Sequence, residues 1–144
     1  FFENQVDYHI DENNNLFVHA GWDYGWKAKF LEGGLYPVNG GDPKDNIAKE
    51  CHWSRELFYG AVQLQRGGVP NLQLALALNQ YNQIFVGHTS LPEPCEVFNF
   101  NDKFYNLDTG CGWSGRLSLI NIETGECLQS GLTTDLYPGI RGRK

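Results

Sequence analysis

The chain has no methionine, and none of its four cysteines (Cys51, Cys95, Cys111, Cys127) pairs into a C-x-x-C. A full translation product opens with methionine, whereas this sequence opens with Phe1, as expected of a clipped or partial chain. Scattered cysteines argue against a cysteine-rich zinc site and favour reduced, mostly buried thiols over a disulfide framework. No apolar run approaches the ~18 residues that a membrane span needs. Phe1-Phe2 followed at once by Glu3, Asn4 and Gln5 makes no signal-peptide pattern. With 11 Lys and Arg against 17 Asp and Glu, the net charge of −6 leaves no broad basic field for a nucleic-acid backbone. The basic end Arg141 to Lys144 reads as a solvated terminus. G-x-S-x-G, P-loop and H-E-x-x-H motifs are missing, and no pair of carboxylates is singled out by spacing for glycoside hydrolysis. The expectation is a cytoplasmic protein that binds neither nucleic acid nor membrane; the oligomeric state is left open.

What is present is enough for one domain over residues 1–144, with 41% apolar and 19% charged residues. Its organising feature is a repeated strand end. Ile84-Phe85-Val86 runs into Gly87-His88-Thr89, so a short buried strand delivers an imidazole at its tip. Leu16-Phe17-Val18 delivers His19 in the same way, followed by the small residues Ala20 and Gly21. A third segment, Tyr105-Asn106-Leu107, ends in Asp108-Thr109-Gly110. Two histidines and an aspartate on one rim are the groups a metal site on an α/β scaffold requires, because the sheet fixes their positions and neutral imidazole is a common ligand.

The rest of the pattern reads as a mixed αβ unit with a largely antiparallel sheet and flanking helices. Phe2 to Ile10 is a strand, turned by Asp11 to Asn15 into the His19 strand. Gly21 to Pro43, rich in glycine and aromatics, reads as a functional loop, with Gly41 to Asp45 as a turn into a helix N-terminus. A helix is expected from Asp45 to about Gln65, with Asp45 as its cap, Gly67-Gly68 as its stop and Arg55 within it or at a break. Pro70 to Leu78 reads as a second, buried helix. Strands follow at Glu96 to Phe100, Lys103 to Leu107, Arg116 to Ile122 and Glu126 to Gln129, with hairpin turns at Asn101-Asp102 and Thr124-Gly125. Trp22, Tyr24, Trp26, Trp53, Phe58 and Tyr59 cluster around the site segments and read as core before substrate wall.

Phe17 to Gly21 (FVHAG), Trp53 to Glu56 (WSRE), Phe85 to Thr89 (FVGHT), Leu107 to Gly110 (LDTG) and Gly115 to Glu126 (GRLSLINIETGE) resemble, in order and spacing, the second half of calcineurin-like metallophosphoesterases. The likeness is in particular to the bacterial and phage-type serine/threonine protein phosphatases. The family's opening motifs, Gly-Asp-x-His-Gly, Gly-Asp-x-x-Asp-Arg and Gly-Asn-His-Glu, are absent, so the resemblance implies the C-terminal half of such a domain and half of its β-sandwich.

The resemblance implies that His19 and His88 hold the second of two divalent metal ions, with manganese expected and iron or zinc possible by ligand chemistry. Two such ions clamp a phosphate and acidify a water between them. Arg55 matches a phosphate-binding arginine, whose planar guanidinium makes paired bonds to phosphoryl oxygens. Asp108 and Thr89 stand behind the ligands, where Asp108 either orients an imidazole or only closes its own turn. His9 and His52 match nothing and read as ordinary residues, while Trp22, Asp23 and Tyr24 are placed to shape substrate access. No catalytic residue is assigned, since the leaving-group acid belongs to the missing motifs. The function implied is metal-dependent hydrolysis of a phosphorylated protein or small phosphoester. The alternatives are a non-catalytic remnant binding a partner through its aromatic loop, and a dinucleoside polyphosphate hydrolase.

Overall fold

The computed structural model of the chain describes residues 6–22, 51–91, 96–140 and 142. The strand start at Phe2, the glycine-aromatic loop, the Asp45 cap, Cys95 and the basic tail lie outside them. The class is mixed α and β, with a five-stranded sheet, a two-stranded ribbon and helices. The main sheet is built from β1 (Tyr8–Ile10), β2 (Leu16–Val18), β3 (Ile84–Val86), β4 (Phe98–Phe100) and β5 (Phe104–Asn106) in the order β1-β2-β3-β5-β4. Its outer pairs are antiparallel hairpins, but β2, β3 and β5 run parallel at its centre. Parallel neighbours need a crossover, which between β2 and β3 includes the helices α1 (Glu56–Gln65) and α2 (Leu72–Asn79). β3, the middle strand, is buried at all three positions, which is why it reads as an unbroken apolar run.

Alternation divides the sheet into two unlike faces. Leu16, Val18, Ile84, Val86 and Phe104 join Leu57, Phe58 and Ala61 of α1 and Leu74, Ala77 and Leu78 of α2 in one core cluster. The intervening residues form a row across the other face, because His9 pairs with Phe17, Phe17 with Phe85 and Phe85 with Tyr105. The rings of Phe17, Phe85 and Tyr105 stack at successive centroid distances of 5.0 Å, and His9 tilts against Phe17 at 6.0 Å.

Local chemistry accounts for most element ends. Asp11 accepts from the Asn15 amide, which does most to hold its carboxyl below the usual range, and also from the Asn15 side chain and the Asn13 amide, closing the first hairpin. Asn101 and Asp102 both take positive φ, 53° and 54°, in the three-residue turn between the paired Phe100 and Phe104, where the Lys103 amide donates to the Phe100 carbonyl at 3.0 Å. α1 stops at Gly67, whose φ is +86°, and a Cβ on Gly68 would stand 2.8 Å from the carbonyl oxygen of Gln63. Asn71 caps α2 by accepting from the Leu74 amide at 2.8 Å.

Several expectations need correction. α2 is not buried all round, since Leu72 and Leu76 are exposed on its outer side. Of the two places expected for Arg55, it is the break that is found: residues 51–53 are helical, the helix lapses at Ser54-Arg55 and α1 begins at Glu56. The cause is a competing bond, because the Cys51 carbonyl that would take the Arg55 amide accepts from Ala20 at 2.7 Å instead. Cys51 is buried as expected, but Cys111 and Cys127 are exposed, one in a turn and one on an edge strand. Trp53 and Tyr59 are exposed rather than core, whereas Trp22 and Phe58 are buried.

The ribbon pairs β6 (Ser118–Ile120) with β7 (Cys127–Gln129), and a short helix α3 (Thr133–Leu136) follows. It is anchored near the rim, where the buried Thr109 hydroxyl donates to the Arg116 carbonyl and meets Ser118 Oγ at 2.6 Å. Gly115 permits this approach, since a Cβ there would fall 1.9 Å from the Thr109 carbonyl oxygen. No helix among the described residues is long and apolar enough to cross a membrane.

Candidate metal and phosphate site

Because β2, β3 and β5 are parallel neighbours, their C-terminal ends share one rim, the usual place for a site on such a sheet. His19 directly follows β2, while His88 and Asp108 each stand two residues beyond β3 and β5. Backbone bonds carry the pairing past the strands: the Gly87 amide donates to the His19 carbonyl, and the Leu107 amide to the Val86 carbonyl, each at 2.8 Å. The antiparallel β1 begins at this same rim, which brings Asp7 beside it.

His19 Nε2 and His88 Nδ1 meet 3.2 Å apart. Two nitrogens each about 2.0–2.1 Å from a tetrahedral cation lie roughly 3.3 Å apart, so the spacing fits two ligands of one ion. It equally suits a direct N–H···N bond between the rings. Among the described residues, no group of three His, Cys, Asp or Glu side chains is placed to hold a metal. The donor pair therefore fits two positions of a coordination shell, and the described residues leave the others unfilled.

Burial at the rim favours the neutral form of both rings. Desolvation at the rim lowers the pKa of His19, helped by neighbouring His52 and opposed by Asp108. Desolvation also lowers that of His88, with Arg55 and His19 adding to it and Asp108 again opposing. Neutral imidazole is the species that binds a cation.

His88 sits in an unusual turn. Its φ is +64°, and the Thr89 amide donates to the Gly87 carbonyl at 2.7 Å, a three-residue turn that strains a residue with a side chain. A buried side chain holds the turn in place. Asn106, with no exposed surface, donates from Nδ2 to the Thr89 carbonyl at 2.8 Å and accepts from the Asp108 amide at 3.0 Å. One amide thus ties the loop after His88 to the loop after β5.

The expected site residues fall as follows. Arg55, exposed, is the residue at which α1 opens, and it lines a cleft of about 1100 Å³ shared with His19, His88 and Asp108. The positive end of α1 therefore lies at the cleft beside a guanidinium. Asp108 accepts from the Gly110 amide at 3.1 Å, which closes its turn, and no hydrogen bond joins it to either imidazole among the described residues. It acts on the rings through charge alone. Thr89 contributes its main chain, through the Gly87 and Asn106 bonds, and no bond from its hydroxyl is seen among the described residues. Trp22 is 2% exposed and faces the core, not a substrate path; Asp23 and Tyr24 lie outside the described residues.

Sequence reasoning passed over five residues. His52 and His9, read as ordinary, both line the cleft; His52 Nε2 lies 3.4 Å from Asp7 Oδ1, and its ring centroid is 6.5 Å from that of His19. Trp113, 51% exposed, forms part of the cleft wall. Asn106 braces the rim. His52 had one available signal, its place immediately before the WSRE segment; Asp7, 45 positions away, had none.

Comparison of the chain with models of protein families, with curated proteins and with solved structures gives no match. The functional reading rests on the rim itself.

Proposed function

We propose that this chain supplies the second-metal and phosphate-binding part of a metal-dependent phosphoester hydrolase, similar to a serine/threonine protein phosphatase. The observation that carries the reading is the convergence of His19 Nε2 and His88 Nδ1 to 3.2 Å at the C-terminal rim of parallel strands. Arg55 at the opening of α1 adds the group needed to grip an anion.

In this reading His19 and His88 hold a divalent cation, manganese, iron or zinc, through neutral nitrogens. Such an ion, when bound, polarises a phosphoryl oxygen and lowers the pKa of water at the site. Arg55 orients the phosphoryl group by two parallel N–H···O bonds and offsets its charge. Asn106 and the strained His88 turn keep the imidazole aimed, so little ordering remains to be done when the ion arrives. The remaining ligands and the leaving-group acid are to come from polypeptide upstream of His19 that these 144 residues do not include.

The test is calorimetric titration with Mn²⁺ and Zn²⁺, using the chain and its His19→Ala and His88→Ala variants. Each variant is expected to lose more than about 100-fold in affinity, beyond the 10–100-fold typical of residues that only support a ligand. Hydrolysis of p-nitrophenyl phosphate with Mn²⁺ is expected only when the chain is extended upstream. Cation affinity unchanged in both variants sinks the reading.

A further inference from the structure

Trp53 is unexplained by packing. It is 64% exposed, although tryptophan is among the side chains that gain most from burial. Its ring stands edge to face with that of His88, centroids 5.3 Å apart and planes at 87°. On His88, Nδ1 is engaged with His19, while Nε2 is buried and makes no hydrogen bond among the described residues. A buried ring nitrogen without a partner carries a penalty unless something takes its proton.

We propose that Trp53 is a positioning residue whose π face receives the Nε2–H of His88, fixing the tautomer that leaves the Nδ1 lone pair turned toward His19. The inference of an effect on metal affinity rests on reading His19 and His88 as ligands; the tautomer itself does not.

Three observations converge on it. An aromatic face is a weak acceptor for N–H, and a perpendicular arrangement is the one in which an edge hydrogen reaches it. Ligating histidines nearly always place their second N–H on a partner that fixes ring orientation, and His88 has no carboxylate or carbonyl in that place among the described residues. The backbone supplies the third. The lapse at Ser54-Arg55, caused by Ala20 taking the Cys51 carbonyl, is what delivers Trp53 and Arg55 to the same cleft. One bend thus brings up both the anion-binding cation and the residue that sets the ligand.

The tautomer is read from the imidazole ¹⁵N shifts of His88 in the metal-free protein, in wild type and in Trp53→Phe and Trp53→Leu. The wild type is expected to hold the Nε2–H form and Trp53→Phe, which keeps a π face, to preserve it. Trp53→Leu is expected to populate the Nδ1–H form and to weaken Zn²⁺ binding about tenfold. An unchanged tautomer in Trp53→Leu overturns the proposal, because the rings are then arranged the other way, with the indole edge against the imidazole. Because Trp53 is largely exposed, both variants are expected to keep the wild-type unfolding midpoint. A wild-type protein that binds no Zn²⁺ at all defeats the ligand reading, and the ¹⁵N shifts still decide the role of Trp53.

Discussion

Among the described residues three turns hold residues with side chains at positive φ, at Asn14, at Asn101-Asp102 and at His88, and the last two do so for different reasons. At the β4–β5 hairpin the residues are Asn101 and Asp102, types that tolerate the left-handed region because their short polar side chains bond locally. Asn99 and Asp102 supply such bonds, with the Asp102 amide on Asn99 Oδ1 at 2.9 Å and Asn99 Nδ2 on Asp102 Oδ1 at 2.7 Å. At the rim the residue is His88, whose side chain makes no bond within its own turn among the described residues; besides the Thr89–Gly87 main-chain bond, the turn is held by a bond from a different strand, through Asn106. The hairpin relaxes into its geometry; the rim is kept in one by its surroundings. Strain that a scaffold sustains at a single imidazole is what a binding site needs and a connecting turn does not.

Breaking the brace should cost most. Asn106→Ala leaves the Thr89 carbonyl and the Asp108 amide without their partner, and is expected to destabilise the protein by about 1–3 kcal/mol in urea unfolding. It should also weaken cation binding. Releasing the strain should act in the opposite direction on stability. His88→Gly is expected to raise it by up to about 1 kcal/mol while abolishing cation binding, since glycine adopts this φ without strain. Asn101→Gly, the matched change at the hairpin, should shift stability by only a few tenths of a kcal/mol, roughly the margin by which Asn is tolerated there. Equal effects of the two glycine substitutions would erase the distinction between the turns.

The smallest effect is with pH. Both rim histidines have pKa values below the ordinary 6.5, so in that range the unfolded chain takes up protons that the folded chain refuses. Their contribution to stability is fully present above pH 6.5 and is lost as pH falls from there through their lowered values. Urea midpoints measured across that window should decline, and a His19→Gln, His88→Gln double variant should flatten the decline. The hairpin turn, with no histidine, should contribute nothing to it.

The sequence was most legible where neighbours along the chain decide the outcome. The apolar triplets before His19 and His88, the Asn101-Asp102 turn and the glycine stop after α1 are local, and each is found where the pattern puts it. The convergence of His19 and His88 was anticipated through the paired strand ends and the motif resemblance, not through spacing, because it depends on two strands being parallel and adjacent. Asp7, just before β1, and His52, in the helical segment 51–53, meet at the cleft and left no trace in spacing. A break at Arg55 was one of two readings, and nothing local chose between them, because the Ala20 amide lies 31 positions from the carbonyl it captures. The exposure of Trp53 and Trp113 likewise contradicts the burial preference of the residue type, and it does so at the cleft.

The file of rings from His9 through Phe17 and Phe85 to Tyr105 also works as a lock on alignment. Sliding any one of these strands by a single residue would swap its aromatic with the aliphatic neighbours that belong under the helices, spoiling both layers together. The two histidines owe their meeting to that lock, since a slip between β2 and β3 would move His19 one step, roughly 3.3 Å, away from its mate.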